Sequence, residues 1–356
     1  VTARAEGTRG GRRARPVKPL RVLVLLHPTL VPPDTLEGHT EKEIFEWKTE
    51  YDVISTLRKL GHDVRPLGVQ DELMPIRTAI TEWNPHIVFN LLEEFHGLRE
   101  FDQHVVSFLE LMKTPYTGCN PRGLVLARDK ALSKKLLTYH RIRVPRFVDF
   151  QKGRRARLPS GFQFPLIVKS LTEEASLGIA QASIVESDEK LAERVRFIHE
   201  SIGTDAIVEQ FIEGRELYVG VMGNKRIDVL PTWELVFENM PAGSASIATA
   251  RAKHDTEYQE KRGIDHKPAE DLPPEIAATI KSTSRRIYRI LELDGYARID
   301  YRLSPRGMLY FLEANPNPEI AEREEFAAAA HAAGLSYPSL LQRIVTLGLG
   351  RRRLVV

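Results

Sequence analysis

Apolar residues gather in short β-rich runs that alternate with stretches of helical spacing along most of the chain. In the first third, residues 21–27, 62–67 and 87–91 read as strands, and 40–60, 73–83 and 101–112 as helices. The helix at 40–60 lines up Ile44, Trp47, Tyr51, Ile54 and Leu57 and stops at Gly61, a residue suited to a helix C-cap. Such alternation predicts an open parallel sheet with helices on its faces. Further strands are expected at 164–169, 180–185, 205–211 and 216–222. Helices are expected at 129–139, 187–202, 274–293, 323–334 and 337–347. Lys130, Lys134 and Lys135 fall on the helix at 129–139 and read as its wet face. Residues 239–263 are polar and poorly periodic, which fits a lid or a disordered segment.

The stretch 295–319 carries the most chemistry. Two β-rich runs, 296–303 and 308–314, flank Ser304-Pro305-Arg306-Gly307, a turn composition. A turn that pairs Ser304 with Gly307 sets Arg298 opposite Glu313 and Tyr296 opposite Asn315. Because side chains alternate along a strand, Arg298, Asp300, Glu313 and Asn315 then share a face. A slip of one residue would separate them. Oxygens from Asp300, Glu313 and Asn315 suit Mg²⁺, a hard cation that binds one or two carboxylates plus nucleotide phosphates. A guanidinium beside the metal can stabilise charge on a reacting oxygen. The competing reading is a surface hairpin with an ordinary cross-strand ion pair.

Composition narrows the class. At 356 residues the chain exceeds one ordinary core, and 42% hydrophobic with 28% charged residues fits a globular protein. No apolar run approaches the roughly 20 residues of a membrane helix, so no membrane partner is expected. A single cysteine, Cys119, excludes an internal disulfide and fits a cytoplasmic location. The net charge of +3 is carried by the ends: residues 1–19 hold six basic groups against Glu6, and Arg351, Arg352 and Arg353 close the chain. Nucleic acid is disfavoured as a partner, since such proteins show a basic face within the fold. After the third strand, Asn90-Leu91-Leu92-Glu93-Glu94-Phe95-His96-Gly97 lies where ligands sit in open α/β sheets. His96 either contacts a substrate or caps the following helix.

Six segments then occur in a familiar order: His96-Gly97 through Pro115-Tyr116-Thr117-Gly118, Asp129-Lys130, Val168-Lys169, Val208-Glu209-Gln210-Phe211, Arg298-Ile299-Asp300, and Leu312-Glu313-Ala314-Asn315. The chain resembles the ATP-grasp superfamily, and within it the D-alanine–D-alanine ligases, from about residue 21 to 347. The resemblance implies an α/β fold, α+β in its ATP-binding part, with an N-terminal open parallel sheet. The implied division is a disordered basic tail at 1–19, a substrate-side domain at 20–118, a central ATP-grasp lid domain at 119–212, a catalytic domain at 213–350 and a basic tail at 351–356.

It also implies roles. Lys130 and Lys169 would neutralise ATP phosphates, with Glu173 and Ser176 on the phosphate loop. Glu209, Gln210 and Ile212 would hold adenine, and Glu216 the ribose. Lys253 would meet the γ-phosphate as the lid closes. Asp300, Glu313 and Asn315 would bind two Mg²⁺ ions, with Mn²⁺ as a substitute, while Arg298, His96 and Lys253 serve catalysis. The implied reaction is ADP-forming ligation of a small carboxylate to an amine through an acyl phosphate. Relatives suggest a homodimer. The alternative is a non-catalytic ATP-grasp protein that binds nucleotide or a partner.

Departures cluster at the substrates. Residues 28–34 replace a Ser-x-Glu-Arg-Glu-type stretch, the phosphate loop reads Glu173-Glu174-Ala175-Ser176-Leu177-Gly178, and Lys253-His254 replaces Lys-Tyr. A Ser-Pro-Gly-Met pattern becomes Asn317-Pro318-Glu319-Ile320, with Glu322, Glu324 and Glu325 behind it. A substrate other than D-alanine is therefore expected. The acidic run reads as a solvated helix start, ahead of a site for a cationic amine.

Overall fold

Arg21–Leu26 (β1) is apolar after its first residue and buried along its length, as a strand covered on both faces must be. It pairs in parallel with Asp63–Gly68 (β2) and Ile87–Asn90 (β3). The computed structural model describes residues 18–173, 179–241, 247–249, 251 and 255–351. The helix expected at 40–60 is two, Glu41–Glu46 and Lys48–Lys59, because Trp47 leaves helical geometry at φ −126°, ψ 24°. Gly61 takes the left-handed φ of +87° that ends the second one.

Phe147–Phe150 (β4), Leu166–Ser170 (β5), Ile184–Val185 (β6) and Ala206–Gln210 (β7) form a four-stranded antiparallel sheet in the order β4-β7-β5-β6. The strand expected at 180–185 shrinks to β6 after a 3-10 turn at Gln181–Ser183. The helix Asp188–Phe197 packs here, around Leu166, Val168, Leu191, Val195 and Val208.

Arg215–Met222 (β8), Asp228–Phe237 (β9), Ile264–Pro268 (β10), Tyr296–Leu303 (β11) and Leu309–Pro316 (β12) build a five-stranded antiparallel sheet, ordered β10-β9-β8-β11-β12. Strands β9 and β10 escaped the sequence reading. Pro231 interrupts the pattern of β9, and it falls where the register with β8 shifts between Val219 and Val221. Proline is tolerated in a sheet at such bulges. Residues 239–263 end in a helix, Thr256–Arg262, whose N-cap Asp255 accepts from Tyr258 N. The first and third sheets share a core: Leu23, Leu25 and Val88 cluster with Leu217, Val219 and Ile299, and with Ile280 and Ile287 of the helix Pro274–Ile290.

The hairpin register differs from the expectation by two residues. Ser304 N donates to Met308 O and Gly307 N to Ser304 O, so the loop has three residues with Gly307 at φ +73°. A type I turn followed by a left-handed residue gives this loop, and it moves the pairing by one. A bulge between Asp300 and Tyr301 moves it by one more. Arg298 therefore faces Asn315, and Asp300 faces Glu313. Two shifts restore the parity that either alone would break, so the four polar side chains keep a common face. Gly307→Ala is expected to cost about 1–2 kcal/mol through its left-handed backbone, since an added Cβ would meet only Ile276 Cδ1 at 3.7 Å. An unchanged Tm would show that the turn is of another type.

Arg351, expected in a basic tail, belongs to the fold. Its guanidinium lies 3.9 Å over the Tyr116 ring, pairs with Asp294 at 3.1 Å and donates to Gly118 O. Among the described residues, no helix is long and apolar enough to cross a membrane.

Candidate active site

Three neighbouring strands supply one polar face: Glu216 and Tyr218 from β8, Arg298, Asp300 and Arg302 from β11, Glu313 and Asn315 from β12. Asp300 is 3% exposed and organises its centre. Arg298 donates Nε to Asp300 Oδ1 at 2.8 Å and Nη2 to Oδ2 at 3.1 Å, a two-pronged ion pair. The third nitrogen, Nη1, donates to Glu325 Oε1. The Tyr218 ring underlies the guanidinium at 4.9 Å, and its hydroxyl donates to Glu216 Oε1 at 2.9 Å. Burial works against the Arg298 charge, yet Asp300 and Glu325 outweigh it and hold its pKa well above the ordinary arginine value. Glu216 is itself held by Arg302 at 2.6 Å.

The lysines come from the helix Lys130–Tyr139 and from β5, ahead of this sheet in the chain. Lys130 opens the helix Lys130–Tyr139, capped by Asp129, and is 4% exposed. Its ammonium donates to Glu173 O at 2.6 Å and lies 3.6 Å from Glu313 Oε2, which joins the helix to the metal-type face of β12. Lys169 on β5 pairs with Glu209 Oε2 of β7 at 3.2 Å. Lys134 corrects the wet-face reading: it is fully buried, 2.9 Å from Glu209 Oε1, and donates to the carbonyl of the bulged residue Leu312. Burial would raise the Glu209 carboxyl, but the two lysines prevail and hold it below the ordinary range. Burial lowers Lys134, whereas for Lys169 it is outweighed by Glu209 and Glu313, so that ammonium is held above its usual value.

The other expected site residues are dispersed. Gln210 spends its amide on the carbonyls of Gln163 and Pro165 at 2.9 and 3.1 Å. Ile212 is half-buried just beyond β7. Glu173 turns its carboxylate to Arg99 Nε at 3.7 Å. His96 has a left-handed φ of +58°, is exposed, and is not among the residues lining the main cleft. Ser176 and Lys253 lie outside the described residues.

That cleft, about 830 Å³, opens against Arg298, Asn315 and Tyr218 and is closed from the N-terminal side by Glu93, Arg99 and Asp102. The acidic run borders it. Glu324 occupies the N-cap position of the helix Glu325–Ala332 without a side-chain capping bond, and Glu325 begins it, as the dipole favours. The solvated reading fails for Glu325, whose side chain is 10% exposed and holds Arg298. Across the gap, burial first, then Glu93 and Glu319, push the Glu50 carboxyl up to about 7. Burial, with Glu319 and Glu325, also pushes Glu324 up to about 7.

The folded chain thus holds protons that the unfolded chain releases near 4.5, so stability falls as pH rises from about 4.5 to about 7. Glu50→Gln removes part of that penalty. It is expected to raise stability at pH 8 by on the order of 1–3 kcal/mol and to change it little at pH 4. Equal Tm differences at both pH values would contradict the titration.

The donor set fits Mg²⁺. Asp300 and Glu313 are directly opposite across the hairpin, with Asn315 next to them. Asn315 Nδ2 donates to Asp300 Oδ2 at 3.0 Å, which leaves the amide oxygen as a further ligand. Among the described residues no three His, Cys, Asp or Glu side chains form a metal cage. An ion partly held by nucleotide phosphates does not need one.

The chain is similar to known proteins in sequence and in fold. Residues 135–346 match the model of the family described as the D-ala D-ala ligase C-terminus. The uncharacterized protein y4sG of Sinorhizobium fredii is 32% identical, over 82% of this chain and 85% of its own. A D-alanine–D-alanine ligase of Desulforudis audaxviator is 30% identical, over 84% of this chain and 92% of its own. The ATP-complexed D-alanine–D-alanine ligase of Bacillus anthracis shares the fold, with a TM-score of 0.69 at 22% identity over 93% of this chain and 97% of that one.

Proposed function

Since the chain belongs to the D-alanine–D-alanine ligase family, an ATP-grasp group of ATP-dependent, Mg²⁺-using ligases, we propose an ADP-forming carboxylate–amine ligation through an acyl phosphate. The substrate carboxylate attacks the γ-phosphorus of ATP, ADP leaves, and the amine then displaces phosphate from the acyl carbon. The observation that carries this reading is the clamped guanidinium beside the paired carboxylates. Arg298 uses three N–H groups on Asp300 and Glu325; a guanidinium has five, so two can meet the oxyanion of the tetrahedral intermediate. Holding the ring of donors in advance removes the cost of orienting it during the reaction.

Lys130 and Lys169 neutralise phosphate oxygens, and Glu209 with Lys134 fixes where Lys169 points. Glu209 has further lone pairs for an adenine amine after accepting both lysines, with Gln210, Ile212 and Glu216 completing the nucleotide contacts. Asp300, Glu313 and Asn315 would hold two Mg²⁺ ions, which when bound supply charge neutralisation between the phosphates. Residues 20–118 form the substrate side, 119–212 the lid and 213–350 the catalytic sheet in this proposal. Substrates other than two D-alanines follow from the changed residues at 28–34 and 317–325. A purely nucleotide-binding role would leave the Arg298, Asp300 and Glu325 arrangement without a task.

Incubation with Mg-ATP and pools of amino acids and polyamines tests the reading. ADP and phosphate should accumulate only when a pool is present and should stop on chelation. Nucleotide binding without turnover across all pools would overturn it.

A further inference from the structure

Beside the main cleft is a smaller pocket of about 240 Å³, bounded by the start of the helix Lys48–Lys59, the segment after β3 and the segment after β12. Phe45, Leu92, Glu93, Asn317, Pro318 and Glu319 line both, so the two spaces adjoin. The small pocket is acidic. Glu46, Glu50, Glu93 and Glu319 line it, and Lys48, the basic residue among its lining, lies 3.8 Å from Glu324 and also acts on Glu319.

Two buried groups make this more than a cluster of surface acids. Glu50 is 7% exposed, and its carboxylate has no partner among the described residues beyond its own backbone. Tyr296 is 1% exposed and lines the same pocket, with its hydroxyl lacking a hydrogen-bond partner among the described residues. Glu319 accepts a single bond, from Thr49 at 3.2 Å, and burial and Glu325 raise its carboxyl. A buried carboxylate is destabilising unless it is protonated or a cation arrives, and a cationic ligand would remove that penalty at Glu50. The remaining walls, Leu30, Phe45, Leu92 and Ile320, are apolar. They suit the methylenes of an alkyl chain better than the water shell of a hard metal ion.

We propose that this side pocket is a cation subsite which seats an alkylammonium group of one substrate, so that the chain ligates a molecule carrying an additional positive charge, a basic amino acid or an alkyl diamine. The word substrate rests on the ligase reading above; the subsite itself does not. An ammonium has three donors to share among Glu50, Glu319 and the Tyr296 hydroxyl. The body of the molecule then extends through the shared residues into the main cleft, toward Arg298.

Calorimetric titration of the full chain decides the matter without requiring turnover. The probes are D- and L-lysine, D- and L-ornithine and 1,4-diaminobutane, with D- and L-norleucine as neutral controls. At least one cationic probe should bind tenfold or more tightly than norleucine. Glu50→Gln and Glu319→Gln should each weaken that binding about tenfold while thermal melting shows a folded protein. Equal binding of charged and neutral probes, no binding of any cation, or unchanged cation binding in Glu50→Gln would each overturn the subsite. Phosphate release separates the two proposals. Turnover with neutral amino acids and no cation preference leaves the ligase and removes the subsite; tight cation binding without phosphate release from Mg-ATP keeps the subsite and removes the ligase.

Discussion

Asp300→Asn is expected to abolish ligation, with kcat lower by on the order of 10³-fold or more while the chain remains folded. The substitution keeps the shape of the side chain and removes its charge. Asp300 is 3% exposed and accepts from two nitrogens of Arg298 and from Asn315. Its loss therefore acts twice, on the guanidinium that would meet the oxyanion in the proposed reaction and on the charge available to a divalent cation. Glu313→Gln serves as the companion, because its side chain is 24% exposed and its removal disturbs the core less. Circular dichroism and nucleotide binding would separate lost chemistry from lost structure. Both variants retaining full phosphate release would remove this face from the reaction.

Lys134→Met should have the largest effect on stability. Removing one partner of a buried ion pair typically costs about 3–5 kcal/mol, and here the carbonyl of Leu312 loses its donor as well. Lys169 then holds Glu209 alone, so the KM for ATP should rise together with the fall in Tm. The sign of the pH dependence is set by Glu209. Its carboxyl is depressed, so the stability it contributes is complete above 4.5 and is lost as pH falls through the lower folded value. In Lys134→Met that acid transition should move to higher pH. A double-mutant cycle with Glu209→Gln measures the coupling; additive effects would mean that the two charges do not act as a pair.

Much of this was legible because the chemistry sits in regular elements. Period-two alternation put Arg298 with Asp300 and Glu313 with Asn315 whatever the exact turn, and Lys130 and Lys169 begin a helix and occupy a strand of strong pattern. The pairing itself was not legible. A three-residue loop and a bulge are each invisible to a count of alternating positions, and their two errors happened to cancel in parity. Lys134 was misread since helical periodicity ranks residues by face but cannot say that a second sheet covers the polar one. Its spacing of four from Lys130 was the available signal. Strand β9 was masked by Pro231, and β10 by a segment of charged residues at a sheet edge. Glu50 could not be found in the sequence at all. A glutamate on a helix reads as solvent-facing until the segments after β3 and β12 are seen to close over it.

The most direct measurement follows oxygen. Amino-acid pools whose carboxylates carry ¹⁸O are turned over with Mg-ATP, and the released phosphate is examined by mass spectrometry. An acyl phosphate formed at this site hands one labelled oxygen to phosphate, so singly labelled phosphate should appear beside ADP. Turnover that yields unlabelled phosphate, or AMP with pyrophosphate, would contradict the account.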